Sequence, residues 1–208
     1  MNPNIPAAKQ EREVRQLHRH ELLMDVIFAL VLWRIFSRLP APESFELSSE
    51  AFTQFIIASS AELEIILVGV VLVIVYWLQN NLLFGNLRKT DNRHTAISIL
   101  QIFSLLLFLY ANRLGIVFQG NTGSLLLQSI SLVAVGLLAV WAWHHAITDR
   151  LLISDNLSKE EAGIARSNIS GETIGAAITI PFALIGPGVW TLSWLIYPLG
   201  RWIFKRLG

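Results

Sequence analysis

The chain holds 208 residues, 53% of them hydrophobic and only 15% charged, with a mean hydropathy of +0.54. A water-soluble domain carries about 25% charged residues, so this chain lacks the polar side chains to cover a globule, and its apolar content equally excludes disorder; the expected solvent is a lipid bilayer. A net charge of +1 leaves no basic surplus for nucleic acid, and zero cysteines close disulfide scaffolds, thiolate metal sites and thiol nucleophiles.

A membrane-crossing helix needs about 20 mainly apolar residues, and windows of that kind, bounded by charge or by Gly, Pro and Asn, predict six spans. Residues 1–19 form a polar cytoplasmic segment with neither the apolar stretch nor the small-residue cleavage site of a signal peptide. Span one runs from about Glu21 to Leu39, with Asp25 and Arg34 inside it, and acts as its own insertion signal. The loop from Pro40 to Ser60 carries Glu43, Glu46 and Glu50 and no Lys or Arg. Within it, Leu47 to Ile57 reads as an interfacial helix or an outer extension of span two, with Ser48 or Ser49 as N-cap and Phe52, Phe55 and Ile56 at helical spacing.

Span two covers about Ala61 to Phe84, span three Thr95 to Asn112 and span four Gly123 to Ala146. Ser158 followed by Glu161 has the spacing of a capping box and predicts a short cytoplasmic helix between spans four and five. Thr173 to Ile185 and Gly188 to Phe204 give two shorter spans, or one re-entrant unit, around Gly186, Pro187 and Gly188. That triplet predicts a tight helical hairpin, since Pro disfavours helix in the residue before it and Gly tolerates the turn. With no low-complexity tract and no internal repeat, residues 20–208 read as a single all-α transmembrane domain.

Lys and Arg concentrate in the cytoplasmic loops of membrane proteins. Of the 16 basic residues here, all but Arg34, Arg38 and Arg113 fall in the N-terminal segment, the 2–3 loop, the 4–5 loop or the C-terminal segment. Both termini are therefore expected in the cytoplasm, which requires an even number of spans.

The stretch from Arg19 to Leu30 resembles the first-helix signature of the transmembrane protein 175 family of potassium channels, approximately R-x-x-x-F-S-D-x-V-F-A-I-x-x-T. Arg19, Asp25, Phe28 and Ala29 match it identically, and Ile27 and Leu30 are conservative replacements. Leu23 and Met24 stand where Phe and Ser are usual, and Trp33 where Thr is. A second block, Tyr76 to Phe84 followed by Asp91, is similar to the family's F-W-x-x-H-x-x-x-F run; Trp77 and Phe84 agree, and Asn80 replaces the His. The resemblance implies a prokaryotic six-helix subunit in the plasma membrane, assembled as a homotetramer around a central pore lined by four copies of span one. It also implies monovalent cations, potassium first, as the permeant species, and a constriction beginning at Leu30.

At 3.6 residues per turn the face of Leu30 carries Leu23, Ile27, Leu30, Arg34 and Ser37, the candidate pore-lining stripe. An aliphatic collar gates by dewetting, because an ion squeezed through it loses its hydration shell. Arg34 has competing readings: a pore-lining or gating charge, a side chain snorkelling to water or pairing with Glu43, or an inter-helix salt bridge. Asp25 is an intramembrane carboxylate and so a functional candidate. The resemblance assigns it, with Arg19 and Asn80, to a polar network holding span one against its neighbours; a spacing of six keeps Arg19 off its face, so another helix is expected to supply its partner. Trp33 either plugs the path or packs at an interface.

His144 and His145 point about 100° apart on a helix, too far to share one ion, and read as interfacial anchors. Glu62 and Glu64 either concentrate cations at a pore mouth or complement a helix N-terminus. No metal site, cofactor fingerprint or enzyme constellation is present in the sequence. The expectation is an ion channel rather than an enzyme, with a non-conducting or differently selective membrane scaffold or sensor of the same fold as the alternative.

Overall fold

The computed structural model describes residues 7–42, 48–148 and 152–196. Six helices make up its regular structure: α1 (Ala7–Phe36), α2 (Ser49–Gly85), α3 (Asn92–Val117), α4 (Thr122–Ile147), α5 (Lys159–Ala183) and α6 (Pro187–Ser193). Among the described residues there is no strand, only an isolated antiparallel bridge between Leu87 and Ile153. By length and composition α3 and α4 are able to cross a membrane, and the apolar part of α2 is Gly69–Gly85.

Side-chain caps set the starts of four helices. Ser48 Oγ accepts from the Ala51 amide at 3.0 Å, Asp91 Oδ1 from the His94 amide at 2.7 Å and Asn121 Oδ1 from the Ser124 amide at 2.8 Å. Ser158 and Glu161 form the full capping box expected of them. Each cap satisfies amides that have no intrahelical partner. Ser48 therefore opens an outer extension of α2 rather than a separate interfacial helix. In the same way the helix begun at Ser158 is not a separate short helix but runs unbroken to Ala183, through the start of the predicted fifth span.

The α3–α4 turn closes as a Schellman motif. Gly120 donates to Gly115 O at 2.7 Å and Gln119 to Ile116 O at 3.2 Å, with both Gln119 (φ 51°) and Gly120 (φ 70°) left-handed. The α5–α6 reversal forms where Gly186, Pro187 and Gly188 predicted it. Gly186 adopts φ 148°, which only glycine tolerates easily, and Pro187 starts α6 with its ring nitrogen at a position that needs no donor.

α4 lies at the centre of the packing, against α3 on one side and α5 on the other, whereas α1 packs mainly on α2. Phe108, Leu105, Leu132, Val135 and Trp143 fill the core between them, and full burial of a large apolar side chain contributes about 1.5–3 kcal/mol. α5 approaches α4 closely because Ala162, Ala165, Ile169, Thr173 and Ala176 form its buried stripe. At Gly136 a methyl group would collide with the Thr173 side chain and stand 3.1 Å from Thr173 Cα. Polar links complete the bundle: Ser129 Oγ and Thr179 Oγ1 share a hydrogen bond of 2.7 Å, Trp190 Nε1 donates to Ser129 Oγ at 2.9 Å, and Trp143 Nε1 donates to Ala162 O at 3.2 Å.

The predicted cytoplasmic end is tied more densely than the other. Around the Leu87–Ile153 bridge, Arg88 N donates to Leu152 O and Ser154 N to Asn86 O, and Arg88 pairs with Asp155 at 2.9 Å. Lys89 Nζ meets Glu13 Oε2 at 2.7 Å with both side chains largely buried. Gln16 reaches Asn92 and Thr95, so the first turns of α1 are held by the start of α3. Glu43, Glu46, Arg150, the C-terminal basic cluster and the second half of the sixth predicted span lie outside the described residues.

Candidate functional site

α1 is amphipathic by environment rather than by polarity. Leu17, His20, Met24, Phe28 and Val31 are buried, spaced three and four apart so that one stripe faces α2 and the core. From Leu22 onward the remaining surface is mostly apolar, interrupted by Asp25 and Arg34, with Leu23 46%, Leu30 60% and Trp33 66% exposed and Val26 between them in position. An apolar helix face left open in a single chain marks a lipid or subunit interface. Of the stripe predicted to line a pore, Leu23, Leu30, Arg34 and Ser37 are exposed, and Ile27 is half-buried at its inner edge.

Beside that face, a cleft of about 840 Å³ separates α1 from α2 and α3. Ile27, Leu30 and Arg34 line it from α1, Glu62 and Ile66 from α2, and Leu106, Leu109 and Arg113 from α3, with Arg38 at its end. Glu62 lies thirteen residues inside a helix that begins at Ser49, so it does not complement a helix N-terminus; its carboxylate faces the cleft that also holds three arginines.

Asp25 finds its partner on α2. Trp77 Nε1 donates to Asp25 Oδ1 at 3.0 Å, joining the two blocks that carried the family resemblance. Arg19 is exposed and forms no ion pair among the described residues; Asn80 is buried. The structure thus places Asp25 against Trp77, with Asn80 inside the bundle, and leaves Arg19 apart.

Glu172 escaped the sequence reading. Gln79 Nε2 donates to its Oε2 at 2.6 Å, bridging α2 and α5. Its signal was a carboxylate directly before the apolar run from Thr173, which becomes an interior helix position once α5 is known to start at Lys159.

A cluster of histidines sits where α1, α3 and α4 meet at the predicted cytoplasmic end. His145 Nε2 lies 2.9 Å from Asp91 Oδ2, and His94 Nδ1 lies 3.0 Å from Thr90 Oγ1. Phe84 stands between His20, at 5.1 Å, and His94, at 5.8 Å. Burial holds both His20 and His94 down to about 4, so they stay neutral near pH 7. Burial alone would raise Asp91, but hydrogen bonds from the His94 amide and His145 outweigh it and leave the carboxyl below its ordinary value. His144 is exposed and takes no part. Among the described residues no group of His, Asp or Glu is arranged to hold a metal ion.

No family model and no curated protein matches the chain. Among solved structures it is similar to the crystal structure of a lysosomal potassium-selective channel TMEM175 homologue from Chamaesiphon minutus. The match has a TM-score of 0.71 at 14% identity and covers 89% of this chain and 97% of that one. The all-helical fold implied by the span-one and Trp77 motifs is thereby shown.

Proposed function

We propose that the chain is the subunit of a homotetrameric ion channel in a prokaryotic plasma membrane, with six membrane helices per subunit and both termini in the cytoplasm. Its permeant species are monovalent cations, potassium first, and four copies of α1 line the central pore. One observation carries this reading: the helix that lines the pore in the resembled family has, in this chain, a long apolar face that none of the described residues covers. A fold shared over nearly the whole length with a potassium-selective channel supports it.

Leu23 and Leu30 supply the aliphatic collar, with Leu30 as its narrowest point, and Ile27 backs it from the half-buried edge. An ion passing such a ring sheds water with no ligand in exchange, so the ring closes the path whenever it narrows. Four Arg34 side chains aimed at the axis would oppose a cation by Coulomb repulsion. Directed instead into the cleft, where Glu62 also faces, they leave the axis to the aliphatic residues.

The exposure of Arg34 and Trp33 favours a second reading, in which the same fold is a non-conducting or differently selective scaffold or sensor. Potassium flux into liposomes holding the purified protein separates the two. The channel reading expects flux in the wild type and a several-fold increase in Leu30→Ala, which widens the collar; no flux from either protein rejects it. Under the cleft assignment Arg34→Ala leaves cation flux within about twofold, whereas a large increase marks Arg34 as a barrier on the axis.

A further inference from the structure

Arg34, Arg38 and Arg113 are the three basic residues that break the charge sorting of the chain, and the fold brings all three to one cleft. They come from two helices distant in sequence, α1 and its C-terminal end on one side and the last turns of α3 on the other. Arg38 feels the charges of both Arg113 and Arg34. Like charges gathered this closely repel, and the described ion pairs include none of them. Among the described residues Glu62 is the only carboxylate lining the cleft, and there the guanidinium groups outnumber it three to one. Those groups present an excess of positive charge in the form that best grips phosphate, planar forks of N–H donors.

Apart from Asn112 and Tyr110, the rest of the lining is apolar. Ile27 and Leu30 on α1 face Leu106 and Leu109 on α3, and from Ile27 to the helix end at Phe36 is about 14 Å at 1.5 Å per residue. Cationic groups at one end of a long apolar furrow match a molecule with an anionic head and a hydrocarbon tail. A free anion would gain nothing from the aliphatic walls, and a second copy of the chain would have to bring its own carboxylates to neutralise the arginines.

We propose that the cleft between α1, α2 and α3 binds an anionic phospholipid from the leaflet at the C-terminal end of α1, its phosphate held by Arg34, Arg38 and Arg113 and its acyl chains along Ile27, Ile66, Leu106 and Leu109. This assignment depends on membrane insertion but not on conduction. An occupied cleft would also anchor the outer half of α1, so lipid composition would set how firmly that helix is held.

Native mass spectrometry of the purified full-length protein tests it, with phosphatidylglycerol and phosphatidylcholine of identical acyl chains and inorganic phosphate as a free-anion competitor. The wild type is expected to retain phosphatidylglycerol on the order of tenfold better than phosphatidylcholine, about 1.4 kcal/mol, with phosphate failing to displace it. Arg38→Gln, an exposed position whose loss leaves the core intact, should abolish most of that preference, Arg38→Lys should restore part of it, and Arg12→Gln at the opposite end should leave it unchanged. Equal retention of the two lipids by the wild type overturns the proposal. So does an equal loss in Arg38→Gln and Arg12→Gln, which would report overall charge, or full displacement by phosphate, which would make the site one for free anions. Weakened self-association of Arg38→Gln with lipid retention unchanged would assign the cleft to a neighbouring subunit and also overturns it.

Discussion

At the scale of single residues, the bond between Asp25 and Trp77 ties α1 to α2 beside the buried stripe of Met24, Phe28 and Val31. A hydrogen bond to a charged acceptor contributes about 1.5–3 kcal/mol when buried, and partial exposure brings this one nearer 1 kcal/mol. A double-mutant cycle of Asp25→Asn and Trp77→Phe, read by thermal unfolding in detergent, should give a coupling energy of about 1 kcal/mol. Additive single effects would show that the contact carries no energy. His20 offers a second test. Its Nε2 is buried without a hydrogen-bond partner among the described residues, and its ring is neutral down to about pH 4. In the unfolded chain the same group titrates near 6.5, so between those values the unfolded state binds a proton that the folded state refuses. Stability from this group is complete above pH 6.5 and falls as the pH drops towards 4. His94 adds in the same direction, and Asp91 withdraws its contribution only at still lower pH, as its depressed carboxyl protonates. His20→Phe keeps a ring against Phe84 and removes the titrating atom; its melting temperature should fall less than that of the wild type between pH 7 and pH 5. An unchanged slope would place the sensitivity elsewhere.

The helices differ in how far the sequence disclosed them. α3, α4 and the apolar part of α2 announce themselves because long apolar side chains raise hydropathy over a full span. Asp25 and Trp77 could each be singled out, but only the fold shows that they meet, since nothing in a sequence orients one helix about its axis relative to another. Where α5 runs, the sequence predicts a short cytoplasmic helix followed by a span, because residues 159–172 are polar in composition. What decides the matter is a stripe of small residues every three or four positions, Ala162, Ala165, Ile169 and Thr173. Such a stripe has little hydropathy and works by letting backbones approach. Glu172 was missed for the same reason. The contact at Gly136 measures that closeness. Alanine favours a helix over glycine by about 1 kcal/mol, yet overpacking costs about 1–3 kcal/mol, and here the added methyl meets backbone as well as side chain. With the clash at the upper end of that range, Gly136→Ala should lower stability by up to about 2 kcal/mol in a thermal or denaturant melt. Thr173→Ala should rescue it only in part, because the Thr173 Cβ and Cα remain 2.9 Å and 3.1 Å away. A neutral or stabilising Gly136→Ala would mean that α4 and α5 yield freely.

For the whole molecule, the packing is uneven. α3, α4 and α5 form a slab with a continuous core, and α1 rests on α2 with an open face. Hydrogen exchange in detergent or nanodiscs should find the amides of α4 most protected and those of the outer half of α1 among the least. Equal protection of the two helices would show that oligomer contacts dominate over packing within the subunit. The charge sorting that predicts a membrane orientation has its counterpart in the structure: basic residues of the predicted cytoplasmic side enter ion pairs such as Lys89 with Glu13, while the three exceptions gather at the other end.

The clasp at the base of α1 has a mechanical consequence. Glu13 and Gln16 fix the foot of the helix to Lys89 and the start of α3, and from Gln16 to Phe36 the helix runs about 30 Å at 1.5 Å per residue, with one stripe in the core and the other side open. A rod pivoted at one end multiplies a small rotation into a large sweep at the other. A tilt of about 5° carries the tip of that length through roughly 2.6 Å, on the order of half a helical pitch, and barely disturbs the hinge. If four copies surround a pore as proposed, tilts of this size would open or shut it near Leu30.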